Sequence, residues 1–76
     1  MTRQINEIAR EIARDWKNPY FGAVPYLSAM QSINTIDEMY GVDSARSVVL
    51  YFLANAATWR GSTARCIKAE LKGMVK

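Results

Sequence analysis

The sequence predicts an all-α single domain of four to five helices, a compact bundle with a central buried helix over about residues 44–59. Three observations predict it. Apolar residues recur at the three-and-four spacing of a helical face, and no run of four to eight residues carries the period-two alternation of a half-buried strand. The longest apolar stretch, 48–53, runs on into alanines, which favours a helix over a buried strand. The 76 residues, 50% hydrophobic, suffice for one domain over 1–76 and not for two. At this size apolar burial and lost conformational entropy nearly cancel, so the two Trp, four Tyr, two Phe and four Met are needed for the core.

The first helix is expected over 2–17, with Ile5, Ile8, Ala9, Ile12 and Trp16 on its inner face. Its charged side sets Glu7 against Arg10 and Glu11 against Arg14, pairs contributing roughly 0.2–0.5 kcal/mol each. Asn18-Pro19 stops it, because a residue before proline is pushed out of helical geometry. Pro25 suits the first turn of a second helix, where its missing N–H costs nothing, and Leu27, Met30 and Ile33 face inward from there. The stretch 20–26 holds Tyr20, Phe21 and Tyr26, which read either as a recognition surface or, the favoured reading in so small a domain, as a satellite core pinning the connection to Trp16.

Thr35-Ile36-Asp37-Glu38 has the form of a capping box that opens a short third helix ending at Gly41. Asp37 and Glu38 are adjacent carboxylates, but the first turn of a helix attracts carboxylates through its dipole without any catalytic role. Asp43 is expected to cap the central helix, whose Val48, Val49, Leu50, Phe52, Leu53, Ala56 and Trp59 point nearly all round, leaving Ser47, Tyr51 and Thr58 as a narrow polar seam. Gly61 marks the next turn, with Ser62 or Thr63 capping a last helix over 64–75. That helix buries Ala64, Ile67, Leu71, Met74 and Val75 and carries Arg65, Lys68, Lys72 and Lys76 as one basic stripe.

The net charge of +3 is unevenly spread. Residues 1–43 hold four cations against six carboxylates, whereas 44–76 hold six cations against Glu70 alone, an asymmetry that can steer a polyanion or an acidic surface. With one cysteine, Cys66, no internal disulfide forms, and the charged start MTRQINEIAR lacks a secretory apolar core. An intracellular, cytoplasmic location is the expectation, with no membrane span or lipid anchor.

The junction of the last two helices partly matches a helix-turn-helix unit, with Ala57, Gly61 and Ile67 at the small-residue, turn-glycine and buried-aliphatic offsets. Arg60, Ser62 and Glu70 then fall where that motif needs core residues. The basic stripe alone could neutralise about four phosphates, which makes a weak, salt-sensitive binder. Catalysis is argued down by composition: there is no histidine to serve as base, and Cys66, though near a helix start beside Arg65, has no histidine partner. Zinc and iron sites fail on ligand count, and the glycines are too isolated for a phosphate loop, so no metal and no cofactor is expected.

The phrases Ala9-Arg10-Glu11-Ile12, Tyr20-Phe21-Gly22-Ala23-Val24-Pro25-Tyr26-Leu27, Tyr40-Gly41-Val42-Asp43 and Tyr51-Phe52-Leu53-Ala54-Asn55-Ala56, followed by Trp59-Arg60-Gly61, resemble a group of small hypothetical proteins encoded by bacteriophages of actinobacteria. The resemblance spans most of the chain and implies a short product made in the host cytoplasm during infection; it carries over no catalytic or binding residue. The expected function is a non-enzymatic interaction module for a host or phage protein, with Tyr20, Phe21, Tyr26, Arg60 and Arg65 as candidate contacts and a homodimer as an allowed state. The alternative is a small nucleic-acid-binding protein that uses Arg60, Arg65, Lys68, Lys72 and Lys76 in a degenerate helix-turn-helix-like arrangement.

Overall fold

The computed structural model describes residues 3–75, which form four helices and one short hairpin. The helices are α1 (Ile5–Asp15), α2 (Val24–Met30), α3 (Ala45–Ala54) and α4 (Ser62–Met74), with strands β1 (Met39–Tyr40) and β2 (Asp43–Ser44) between α2 and α3. The protein is therefore mostly helical but not purely so.

Each helix buries the stripe its spacing sets: Ile5, Ile8, Ala9 and Ile12 from α1, Leu27, Ala29 and Met30 from α2, Ala45, Val48, Val49 and Phe52 from α3, and Ala64, Ile67 and Leu71 from α4. α1 packs on α2 and α4, and α3 packs on the same two, so the stripes meet in one core. α2 has Pro25 in its first turn, where the missing N–H is harmless. Pro19 is not needed to end α1, which stops at Asp15 with Trp16 as its C-cap.

The start of α1 is completed by distant chain. Its Ile5 and Asn6 amides, which no intrahelical carbonyl can reach, donate to the carbonyls of Asn34 (2.9 Å) and Ile33 (2.8 Å) after α2. The Arg3 guanidinium then ties the same end to α4, with two hydrogen bonds to Glu70 (2.8 and 3.1 Å) and one to Glu11 (2.6 Å). Glu11 thus pairs with Arg3 rather than Arg14, and the Glu7 carboxylate accepts from the Gln4 amide as part of a capping box instead of facing Arg10.

Four further expectations are corrected. The third helix does not form. Its capping chemistry survives as an isolated turn, in which the Glu38 carboxylate accepts from the Asn34 and Thr35 amides at 3.2 Å each. One turn cannot repay helix nucleation, and the chain instead folds back, pairing Met39 with Ser44 and Tyr40 with Asp43. Gly41 supplies the positive φ of 63° at the first of the two loop residues, the requirement of a II′-type hairpin turn. Ser44, not Asp43, caps α3, its hydroxyl accepting from the Ser47 amide at 3.1 Å.

The central helix is also shorter and less enclosed than the 44–59 expectation. α3 ends at Ala54, and its Leu50, Tyr51 and Ala54 are exposed, so it has an inner face and an outer one. Trp59 lies beyond its end, inside an aromatic cluster: it stacks on Trp16 at 5.7 Å and 11°, and Phe52 meets both indoles edge-on. Finally, Gly61 rather than Ser62 or Thr63 is the N-cap of α4, with φ 115°.

Candidate functional site

Trp16 is satisfied by Trp59 and Phe52, and this leaves the proline-bounded aromatics outside. The expected satellite core on Trp16 is thereby overturned for Tyr20 and Phe21. Phe21 is 79% exposed, and Tyr20, 44% exposed, lies against it with ring centroids 4.8 Å apart.

These side chains continue into the outer face of α3. Tyr20 lines a small apolar cavity of about 190 Å³ with Ala54, Asn55, Ala57 and Thr58. Asn55 closes the C-terminal end of α3 by donating from Nδ2 to the Tyr51 carbonyl at 2.8 Å, and the Tyr51 ring sits 5.4 Å from that of half-buried Tyr26. Phe21 and Tyr20 thus form one aromatic pair beside the C-terminal end of α3, and Tyr26 and Tyr51 a second between α2 and α3. Gly22 makes the arrangement possible: a Cβ there would stand 2.6 Å from the Tyr20 ring and 2.8 Å from Asn55 Oδ1, so only glycine lets the ring lie down.

The cationic candidates lie elsewhere. Arg60, Arg65 and Lys68 line an open groove of about 310 Å³ at the start of α4, together with Trp59, Gly61 and Ala64. The Lys68 ammonium donates to the Trp59 carbonyl at 2.6 Å and sits 5.9 Å above its indole. Burial, and after it the neighbouring charges of Lys72 and Arg60, push the Lys68 pKa below that of an ordinary lysine. At the opposite extreme, the hydrogen bonds that Arg3 donates to Glu70 and then to Glu11 raise its pKa.

The structure therefore brings Tyr20 together with Phe21, and Tyr26 with Tyr51 instead of with those two, and separately Arg60 and Arg65 with Lys68 and Lys72; Lys76 lies outside the described residues. It also adds Tyr51, which the sequence placed in a polar seam. The pattern Ala45, Val48, Val49, Phe52 held the signal, since taking that stripe inward turns Leu50 and Tyr51 out.

Seven residues separate Ala54 from Ser62, whereas a helix-turn-helix joins its helices through three or four, so that arrangement is not present here. Cys66 is exposed, and no group of three or more metal-ligating side chains occurs among the described residues. Nor is any helix among them long and apolar enough to cross a membrane. Comparison with protein-family models, with curated proteins and with solved structures finds no match for the chain.

Proposed function

We propose that this protein is a non-enzymatic protein-interaction module whose partner docks on the aromatic face of Tyr20, Phe21, Tyr26 and Tyr51. One observation carries the reading: Phe21 is 79% exposed in a domain small enough to need its aromatic area inside. Two aromatic pairs, Phe21 with Tyr20 and Tyr51 with half-buried Tyr26, supply the residue types that dominate the energetics of protein interfaces. On the resemblance of its phrases to small actinobacteriophage proteins, the same reading makes it an accessory product acting in the host cytoplasm on a host or phage protein.

The test is site-specific photo-crosslinking. A photoreactive phenylalanine analogue in place of Phe21 is expected to crosslink a different polypeptide in host lysate, and the same analogue in place of Arg14, an exposed position on α1, is not. Phe21→Ser with Tyr51→Ser should abolish the partner while melting within a few degrees of the parent. Crosslinking only to a second copy, with a dimeric mass by light scattering, would replace this reading with self-association. No crosslink at position 21 would end it.

A further inference from the structure

The cations at the start of α4 are not absorbed by that reading. Three of the six residues lining the groove, Arg60, Arg65 and Lys68, are cationic and none is acidic. Lys72 follows Lys68 one turn on, along the same side of the helix. The carboxylates whose contacts reach this end of the molecule are engaged: Asp15 accepts from the Trp59 indole N–H, and Glu11 and Glu70 are held by Arg3. The two salt bridges of Arg3 include no groove cation. Burial first, and then the like charges of Lys72 and Arg60, disfavour the Lys68 ammonium.

We propose that this groove binds the phosphodiester backbone of a nucleic-acid duplex, without reading its sequence. Arg65, Lys68 and Lys72 span about 10 Å along α4 at the helical rise of about 1.5 Å per residue, a row suited to successive phosphates. Lys68 is already oriented by its bond to the Trp59 carbonyl and keeps two ammonium hydrogens for a ligand. No lining residue is Asn, Gln, Asp or Glu, which leaves only arginine and lysine, the side chains that also neutralise phosphates. A single strand would need an open ring to stack on, and Trp59 is only 2% exposed. No aromatic side chain stands open in this groove to serve as an anchor for a protein partner, which leaves its cations as the contact chemistry.

The experiment is fluorescence anisotropy with a labelled 20-base-pair duplex of mixed sequence, titrated between 50 and 200 mM potassium chloride. Four neutralised phosphates give a logarithmic salt slope of about −3.6, so affinity falls on the order of a hundredfold across that range. Arg65→Gln with Lys72→Gln should halve the slope to about −1.8. Arg10→Gln with Arg14→Gln removes the same charge from exposed positions on α1 and should leave the slope unchanged. Lys68 is kept intact because it also holds the Trp59 carbonyl. Three results would overturn the proposal: no binding at 50 mM salt, equal losses in the two double variants, or displacement by polyglutamate as effective as by unlabelled duplex. The last would assign the groove to acidic polypeptides.

Discussion

The indole N–H of Trp59 donates to the Asp15 carboxylate across 2.8 Å, joining the last residue of α1 to the connection between α3 and α4. The same indole stacks on Trp16, so a polar and an apolar contact fix one ring against consecutive residues. Asp15→Ala should destabilise by about 1 kcal/mol, the usual contribution of one hydrogen bond. Asp15→Asn, which retains an acceptor oxygen, should cost much less. Urea unfolding followed by tryptophan fluorescence separates the two, and equal losses would show that the bond itself contributes nothing.

The ion pairs of Arg3 are partly exposed and are discounted accordingly, with side-chain exposures of 38% for Arg3 and 32% for Glu70. Glu70→Gln is expected to lower stability by up to about 1 kcal/mol in dilute buffer. In 1 M salt, where screening acts within about 3 Å, the difference between parent and variant should shrink. A salt-independent loss would point to packing instead of charge.

Lys68 makes stability depend on alkaline pH in a definite direction. Its pKa in the folded protein lies below the ordinary 10.5, so between those two values the unfolded chain binds more protons than the folded one. Stability contributed through Lys68 therefore rises as pH climbs through the window beneath 10.5. Compared with Lys68→Met, the parent should gain relative stability over that interval by thermal unfolding at stepped pH. A relative loss would reverse the sign of the shift.

The two glycines with positive φ should differ in their tolerance of side chains. Gly41, at φ 63° in the first loop position of the hairpin, is where a β-branched side chain is worst placed, so Gly41→Val should cost more than Gly41→Asn. Gly61, at φ 115° and ψ 176°, occupies a region essentially reserved for glycine. Gly61→Ala should cost on the order of 1–3 kcal/mol although open space surrounds the site, because the penalty is in the backbone.

Where one helical stripe decided the outcome, the sequence was a reliable guide. Ile5, Ile8 and Ile12 face inward as their spacing dictates, Pro25 begins α2, and Ala64, Ile67 and Leu71 line α4. It misled where identical local chemistry serves two structures. Thr35 and Glu38 make the backbone contact of a capping box whether or not a helix follows, and only the pairing of Tyr40 with Asp43 selects the hairpin. The aromatic face was legible in its residue types but not in its exposure. Tyr20 and Phe21 are displaced outward because Trp59, far along the chain, fills the space beside Trp16, and no spacing rule reports such a partner.

The amides of Ile5 and Asn6 depend on carbonyls that exist in place only once α2 and the segment behind it have docked. Helix ends usually fray first and exchange their hydrogens fastest. Here the start of α1 should exchange in step with opening of the 33–34 segment, and slowly for a terminal turn. The first and second helices then open as one cooperative unit, so a perturbation near Asn34 would be felt as melting at the other end of that pair.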